Sequence, residues 1–584
     1  MVYTYALGAY AIWCAGSSPV SGTKTGRRDT PPWRGVFLIK NKNVSISHLC
    51  GIILDNMGKI TKYLNQLIVG NVYDNPEILE TYSYDCSALV VRPKYVAFPE
   101  STEDICKLMR FFNQIAVRDI PVSVTARGTG IDDGGADLSS GLVLSTEKLN
   151  RLLEIDTRER LVRVQAGITL KELNTALSVS GLTIPIGGHE QDTIGGLIAN
   201  CPIDAYSGKY GGIRNYVERI EAVLSNGECL QTTRLRKYQL ARKAAEKSLE
   251  GNIYRKVAKF LKDEAKFIHE FDASRNGMTG YPMIAEVQKR ESVDLMPFFF
   301  GSQGTLGVIS EVILKAEPLR TNPMRVVATF KDIRVATQFM DAIAQLKPRE
   351  INICDLKIIQ EARETGKNLD GVIKKLDEGY AVSVVFDERK NSIARKLQRV
   401  QTKMPRNAKL ILDTPENQLA LNEFDNSLPC YLNQVRNGER LPILTDFYIP
   451  SINLANFVKD LQVLSDKLEL DLRLFGSYST GIYSLRPKFD LKEENFARRV
   501  ATFLRAGAYV INRQNGCLTG GRPEGRLKAV VTNAEIMDSH RKVFEEIKKI
   551  FDPNNILNPD VKLGANSRFT LTHLKNTESK KYFF

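Results

Sequence analysis

The sequence predicts an α+β protein of more than one domain, and three observations carry that reading. Its 584 residues exceed what one hydrophobic core organises. Its composition, 43% hydrophobic and 25% charged, is globular and excludes a disordered, collagenous or disulfide-stapled chain. Short apolar strand patterns alternate with amphipathic helical ones along most of its length.

In the first half, Ser101 to Ala116 reads as a helix: Ser101 caps it, Asp104 completes a capping pattern, and Ile105, Leu108, Met109 and Phe112 form one apolar stripe. Ile120 to Val124 reads as a strand. A Gly-rich loop follows, then apolar Leu142 to Leu144, alternating Leu161 to Val164, and a helix opened by Thr169 with Glu172 three residues on. Ile220 to Leu230 reads as a hairpin turning at Asn226-Gly227, and two helices are expected between Arg234 and Phe271.

A second αβ block begins near Arg325. Its strand candidates are Val326 to Phe330, Ile351 to Leu356, Ala381 to Phe386, Lys409 to Leu412 and Leu444 to Tyr448, separated mostly by helices such as Asp341 to Leu346 and Asn453 to Leu468. This alternation suggests an α+β cap over the first domain.

The net charge of +14 attracts anions without choosing among nucleic acid, acidic lipid and a phosphorylated cofactor. The densest basic stretch, Arg234 to Lys247, has few aromatics to stack bases and reads as a solvated helix face; no nucleic-acid partner is expected. Nine scattered cysteines without a C-x-x-C pair read as reduced thiols in a cytoplasm, and the five histidines lack ligand spacing, so no metal site is expected. Val2 to Gly16 is apolar but too short to cross a bilayer, and Ser17 to Asn43 is linker-like. Residues 1–56 are therefore expected to be a dispensable extension produced by an upstream start.

The informative loop is Arg127-Gly128-Thr129-Gly130-Ile131-Asp132-Asp133-Gly134-Gly135-Ala136, whose glycines let backbone N–H groups approach an anion together. Thr193-Ile194-Gly195-Gly196 and Lys209-Tyr210-Gly211-Gly212 follow within the same block. Three such loops imply a long diphosphate ligand. None has the G-x-G-x-x-G spacing of an NAD-binding turn.

The order of motifs resembles the PCMH-type FAD-binding domain of the vanillyl-alcohol oxidase superfamily, in the branch holding D-lactate dehydrogenases and the FAD subunit of glycolate oxidase. The match runs from Pro93 to Pro99, through Gly141 to Leu144, Asn150 to Asp156 and Gly167, to Thr193 to Gly196. It resumes at Asp294-Leu295 and at Phe300 to Ile309, and closes with Phe551 to Pro559. The resemblance implies a helical lead-in over 57–92, a two-subdomain FAD domain over 93–320, and an α+β, ferredoxin-like substrate cap over 321–545. It further implies a C-terminal return to the FAD domain over 546–566 and a tail over 567–584. FAD would be held by Arg127, Gly128, Thr129, Gly130, Ile131, Gly135, Thr193, Gly195, Gly196, Tyr210, Gly211, Gly304 and Ile309. The loop lacks the histidine that some relatives link to the flavin, so the FAD is expected to be non-covalent.

In the cap, metal-using relatives read G-H-x-G-D-G-N-x-H where this chain has Gly476 to Ser484, and G-E-H-G-x-G-R at Gly520 to Arg526. Ser477, Ser484, Gly521 and Arg522 replace their histidines and glutamate, so the motif is degenerate and no metal is expected. Arg486, Arg522 and Arg526 are candidates to hold a carboxylate bidentately, although Arg486 could equally be a surface strand residue. Tyr478 and Tyr483 are candidate hydroxyls that compete with a packing reading. His189 is a candidate general base that competes with a loop histidine bonded to backbone or phosphate. The implied activity is oxidation of a small anionic 2-hydroxy acid, or related alcohol, by hydride transfer to FAD, with a quinone or carrier protein as electron acceptor. The implied location is the cytoplasm, with a peripheral contact at the inner face of the membrane left open. The rival reading is a flavin-binding protein whose cap has lost catalysis.

Overall fold

The computed structural model describes residues 57–116, 123–128, 134–271, 277–320, 323–363, 378–388, 390–406, 408–412 and 440–575, with Thr414, Asn417 and Leu421. Contacts divide the chain into Met1–Ile60 and Thr61–Phe584; the architecture below is that of the second unit.

The first lobe is a sheet of β1 (Asn71–Tyr73), β2 (Tyr95–Phe98), β3 (Val124–Arg127) and β4 (Leu142–Ser145), in the order β1-β2-β4-β3. β2, β4 and β3 are mutually parallel. Parallel strands are covered on both faces, which is why Val96, Ala97, Val124 and Leu142 to Leu144 are fully buried. The strand expected at Ile120 to Val124 instead begins at Val124, because Val124 to Arg127 register against Leu142 to Ser145; 120–122 lie outside the described residues.

The helix Thr102–Ala116 forms as its apolar stripe requires, with Ser101 Oγ accepting from the Asp104 amide at 3.2 Å. Asp104 does more than cap. Its fully buried carboxylate accepts from the amides of Val69, Gly70 and Glu100 at 2.9–3.1 Å, fixing the approach to β1.

The second lobe is an antiparallel sheet of β5 (Leu152–Asp156), β6 (Leu161–Gln165), β7 (Val217–Val223), β8 (Cys229–Gln231) and β9 (Val308–Lys315), ordered β5-β6-β9-β7-β8. The β7–β8 hairpin turns where the sequence predicts, with Gly227 at φ +81°. Thr169 and Glu172 exchange both bonds of a capping box. Between Arg234 and Phe271 there are three helices, Lys237–Ala244, Leu249–Asp263 and Ala265–Glu270, because Ser248 caps a new start and Glu264 leaves helical geometry.

The cap is one antiparallel sheet: β10 (Met324–Phe330), β11 (Glu350–Asp355), β12 (Tyr380–Phe386), β13 (Lys409–Leu412), β14 (Leu444–Tyr448), β15 (Leu474–Ser477) and β16 (Ile482–Leu485). Its order is β13-β10-β12-β11-β15-β16-β14, and the first four strands have the ferredoxin-like arrangement. The helices Ile333–Ala344, Leu454–Leu468 and Phe496–Arg513 contribute Phe339, Met340, Phe457, Leu461 and Phe503 to a core with Ile351, Ile353, Val382, Val384, Tyr483 and Leu485. The chain then returns. The helix Asp538–Phe551 buries Phe544, Ile547 and Phe551 in the second lobe, and Ile556 to Asn558 pair beside Val124.

Candidate functional site

Successive residues of a strand point to opposite faces, so a sheet roofed by helices on one side presents every second residue to the other. In the cap those residues are Asn352 and Cys354, Ala381 and Ser383, Phe475 and Ser477, and Ile482 and Ser484. They line a cavity of about 480 Å³. Its opposite wall is the FAD-domain segment Gly187, Gly188, His189 and Pro202 to Tyr206; Arg325, Glu350, Asp446 and Arg522 supply the charges.

These charges are held in place. Arg522 Nε lies 3.1 Å from Asp446 Oδ2. Asp446 sits at φ +52° inside β14, where the register to β16 slips between Leu444 and Phe447. A non-glycine residue there is strained and persists only when its surroundings fix it. The fixing groups are visible. The Gly521 amide donates to the Asp446 carbonyl at 2.7 Å and the Ile203 amide to the Gly521 carbonyl at 2.8 Å, while the buried Lys528 ammonium donates to the carbonyls of Thr445 and Arg522, each at 3.2 Å. Burial lowers the pKa of Lys528.

Asp204 accepts from the amides of Tyr206 and Ser207 at 2.8 and 3.0 Å, and burial pushes its carboxyl up to about 6. Glu350 accepts from Arg349 at 2.6 Å and from Asn352 at 2.9 Å, and the Arg349 guanidinium lies 4.2 Å from the Tyr206 ring centroid.

The structure sorts the expected substrate residues. Arg522 lines the cavity. Arg486 does not; it is buried with its guanidinium 5.3 Å from the Phe475 ring. Arg526 donates to the carbonyls of Leu138 and Pro559 and to Asn558 Oδ1, and its amide to the Gly134 carbonyl. Burial pulls it down to about 10. It therefore ties down Gly134 and Leu138 after β3 and does not line the cavity. Tyr478 donates to Asp341 Oδ1 at 2.5 Å and Tyr483 is fully buried; both phenols lie on the helix-covered side and burial raises both well above the ordinary value. His189 lines the cavity, but its Nδ1 accepts from the Gln191 amide at 3.2 Å. The neutral ring then carries its proton on Nε2, making it a donor without a spare lone pair, so the role of proton acceptor does not fit.

Of the expected cofactor residues, Thr129, Gly130 and Ile131 lie outside the described residues. Arg127 donates to the Tyr82 carbonyl at 3.3 Å and stacks over that ring. Gly128 brings the first loop onto the second, since a Cβ there would stand 2.1 Å from Thr193 Oγ1; Gly135 has φ +73°. The second loop spends its amides internally: Ile194 donates to the Ile168 carbonyl, Gly195 to that of Ala166, and Gly196 to Thr193 Oγ1. Its glycine at 195 serves close packing, as a Cβ would meet Ala166 Cβ at 2.8 Å. Tyr210 and Lys209 both bind Asp387 at the end of β12, and Gly211, at φ +78°, presses on Asn215, so the third loop joins the FAD domain to the cap. Ile309 is buried in β9. Gly304, at φ +70°, has no heavy atom of the described residues beyond its chain neighbours within 4 Å of the place a Cβ would take. The open backbone face at Gly304 leaves room for a flat ring system and in that respect the residues fit FAD, whereas the amides of Ile194 to Gly196 are already bonded within the protein and do not cradle its diphosphate.

Among the described residues no group of three His, Cys, Asp or Glu is placed to hold a metal ion, and no helix is long and apolar enough to cross a membrane.

A two-lobed FAD-type domain under an antiparallel cap defines a flavoprotein class, and the comparisons agree. Residues 93–233 match the FAD binding domain and residues 321–561 the C-terminal domain of FAD linked oxidases. The chain belongs to the FAD-linked oxidase family. It is 24% identical over 484 residues to D-2-hydroxyglutarate dehydrogenase of Pseudomonas putida, covering 80% of this chain and 48% of that protein. To glycolate oxidase subunit GlcD of Bacillus subtilis it is 25% identical over 509 residues, covering 83% and 93%. To D-lactate dehydrogenase of Archaeoglobus fulgidus it is 24% identical over 494 residues, covering 82% and 95%. The chain thus spans about half the length of the D-2-hydroxyglutarate dehydrogenases it matches. Two solved structures share the fold: 4-ethylphenol oxidase from Gulosibacter chungangensis, with TM-score 0.61, 14% identity and 90% and 99% coverage, and alkyldihydroxyacetonephosphate synthase, with 0.59, 16%, 86% and 84%.

Proposed function

We propose that the protein is an FAD-linked dehydrogenase that oxidises a small 2-hydroxy acid in the cavity between the FAD domain and the cap, with FAD bound non-covalently. The observation that supports this reading is a cavity at that boundary lined by Arg325, Arg522 and Asp204, whose carboxyl burial raises to about 6. When bound, FAD supplies the hydride acceptor. The chain supplies the rest. Arg522, oriented by Asp446, and Arg325 hold the substrate carboxylate. Asp204 accepts the hydroxyl proton, since a base titrating near the working pH combines availability with driving force. His189 Nε2 donates to a substrate oxygen, Ser477 and Ser484 offer hydroxyls where metal-using relatives place histidines, and Asn352 adds an amide beside Ser477. Activity is expected to be insensitive to chelators, and a quinone or carrier protein to take the electrons.

The test is anaerobic mixing of the purified, FAD-loaded protein with a panel of D- and L-2-hydroxy acids. Loss of the flavin's visible absorbance with one of them supports the reading. The rival, a flavin-binding protein without catalysis, is favoured by Ser477 and Ser484 and predicts bound flavin that no acid bleaches.

A further inference from the structure

The two lobes of the FAD domain meet along a seam between the helix Thr102–Ala116 of the first and the β7–β8 hairpin of the second. Thr102 Oγ1 donates to Glu221 Oε1 at 3.2 Å. The hairpin tip sits so close that a Cβ on Gly227 would lie 2.5 Å from the Cys106 carbonyl oxygen. On this seam Cys106 Sγ and Cys229 Sγ stand 3.2 Å apart, from positions 123 residues apart in the chain. Cys106 is buried, whereas Cys229 is partly exposed.

We propose that Cys106 and Cys229 form a reversible disulfide that cross-links the two lobes, made by exchange with a small-molecule disulfide such as oxidised glutathione. The partly exposed Cys229 loses its proton to solvent, and its thiolate attacks one sulfur of the small disulfide. One glutathione thiol leaves, taking up a proton. Cys106, deprotonated in turn, attacks the Cys229 sulfur of the mixed disulfide and expels the second glutathione thiol. Two protein thiols are oxidised by two electrons in total, and one small disulfide is reduced to two thiols. The sulfurs need only close from 3.2 Å to a bond of about 2.05 Å, between backbones already docked. The hydrogen bond to Cys106, and burial, hold the Cys229 thiol well above its ordinary range. The small thiolate fraction keeps exchange slow near neutral pH, and exchange quickens as pH rises.

The consequence falls on the cofactor, and this part alone rests on the FAD reading. Gly128 and Gly135 come from the first lobe, Thr193 and Gly304 from the second, so a bond across the seam restrains the separation of the two halves of the site.

The experiment incubates the full-length, FAD-loaded protein with oxidised glutathione at mildly alkaline pH, then maps peptides without reduction. The expected result is a cross-linked pair containing Cys106 and Cys229, lighter by two hydrogens, reversed by dithiothreitol and missing in Cys229→Ser. The map of the unsubstituted chain stands by itself should that variant fail to fold. Cys106 and Cys229 both remaining alkylatable, or Cys229 stopping at the glutathione adduct, overturns the disulfide. FAD release, followed by the fluorescence of the freed flavin, should be several-fold slower from the bridged protein. Equal release rates overturn the clamp.

Discussion

The Lys528 ammonium, fully enclosed, donates at 3.2 Å to the main-chain carbonyl of Arg522, the one expected substrate arginine that lines the cavity. The same ammonium donates to the Thr445 carbonyl, next to Asp446, so one buried cation holds both halves of the Asp446–Arg522 pair. The cost of burying this charge is offset by its bonds to the carbonyls of Thr445, Leu518 and Arg522.

Lys528→Met fills the space but leaves the buried carbonyls of Thr445 and Leu518 and the part-buried carbonyl of Arg522 without their donor. We expect a loss of about 2 kcal/mol in urea unfolding, because each orphaned acceptor costs about 1–3 kcal/mol and the desolvation cost of the ammonium is recovered. KM for the acid should rise while FAD content stays unchanged.

Asp204 gives the pH dependence. Burial raises its carboxyl from 3.8 to about 6, so the folded chain binds this proton more tightly than the unfolded one. Its contribution to stability is greatest below the lower value, declines as pH rises between the two, and is flat above about 6. Asp204→Asn removes that decline, so the Tm difference between variant and wild type should move in the variant's favour across that window. In the same variant the acid limb of kcat/KM should disappear. An unchanged limb would take proton transfer away from Asp204.

The arginines separate by kinetics. Arg522→Lys keeps the charge but loses the fork, and should raise KM for a 2-hydroxy acid about tenfold or more. Arg486→Lys, expected from sequence to do the same, should leave KM unchanged and lower Tm, since its guanidinium packs on Phe475 and does not line the cavity. Steady-state kinetics on both variants checks this.

Tyr483→Phe should be neutral or stabilising by about 1 kcal/mol, because the fully buried phenol oxygen has no hydrogen-bond partner among the described residues. Turnover should not change. A large fall in kcat would return Tyr483 to the chemistry.

The features legible in the sequence were those set by local periodicity. The alternation in Ile482 to Leu485 already separates Ser484 from Tyr483, and the same reasoning applied to Ile351 to Cys354 and Ala381 to Ser383 would have found Asn352 and Ser383. Capping at Thr169 and the Asn226-Gly227 turn were equally local. Asp446 could not be read, because the bulge that turns it into the cavity depends on pairing with a strand some forty positions on. Nor could Lys528 and Asp204, whose chemistry comes from burial by distant segments. The Thr193 to Gly196 turn looked like an anion cradle because glycine serves close packing and open amides alike; only the partners of those amides tell the two apart.

The central claim is that a hydroxy acid is oxidised in the Arg522 cavity by FAD held on this chain. It is tested most directly by anaerobic titration of the flavin absorbance in wild type and Arg522→Ala, loaded with equal FAD. The account predicts bleaching of the wild type by at least one 2-hydroxy acid and little or none in the variant at the same concentration. Bound flavin that no hydroxy acid bleaches, or equal bleaching of the two proteins, would contradict it.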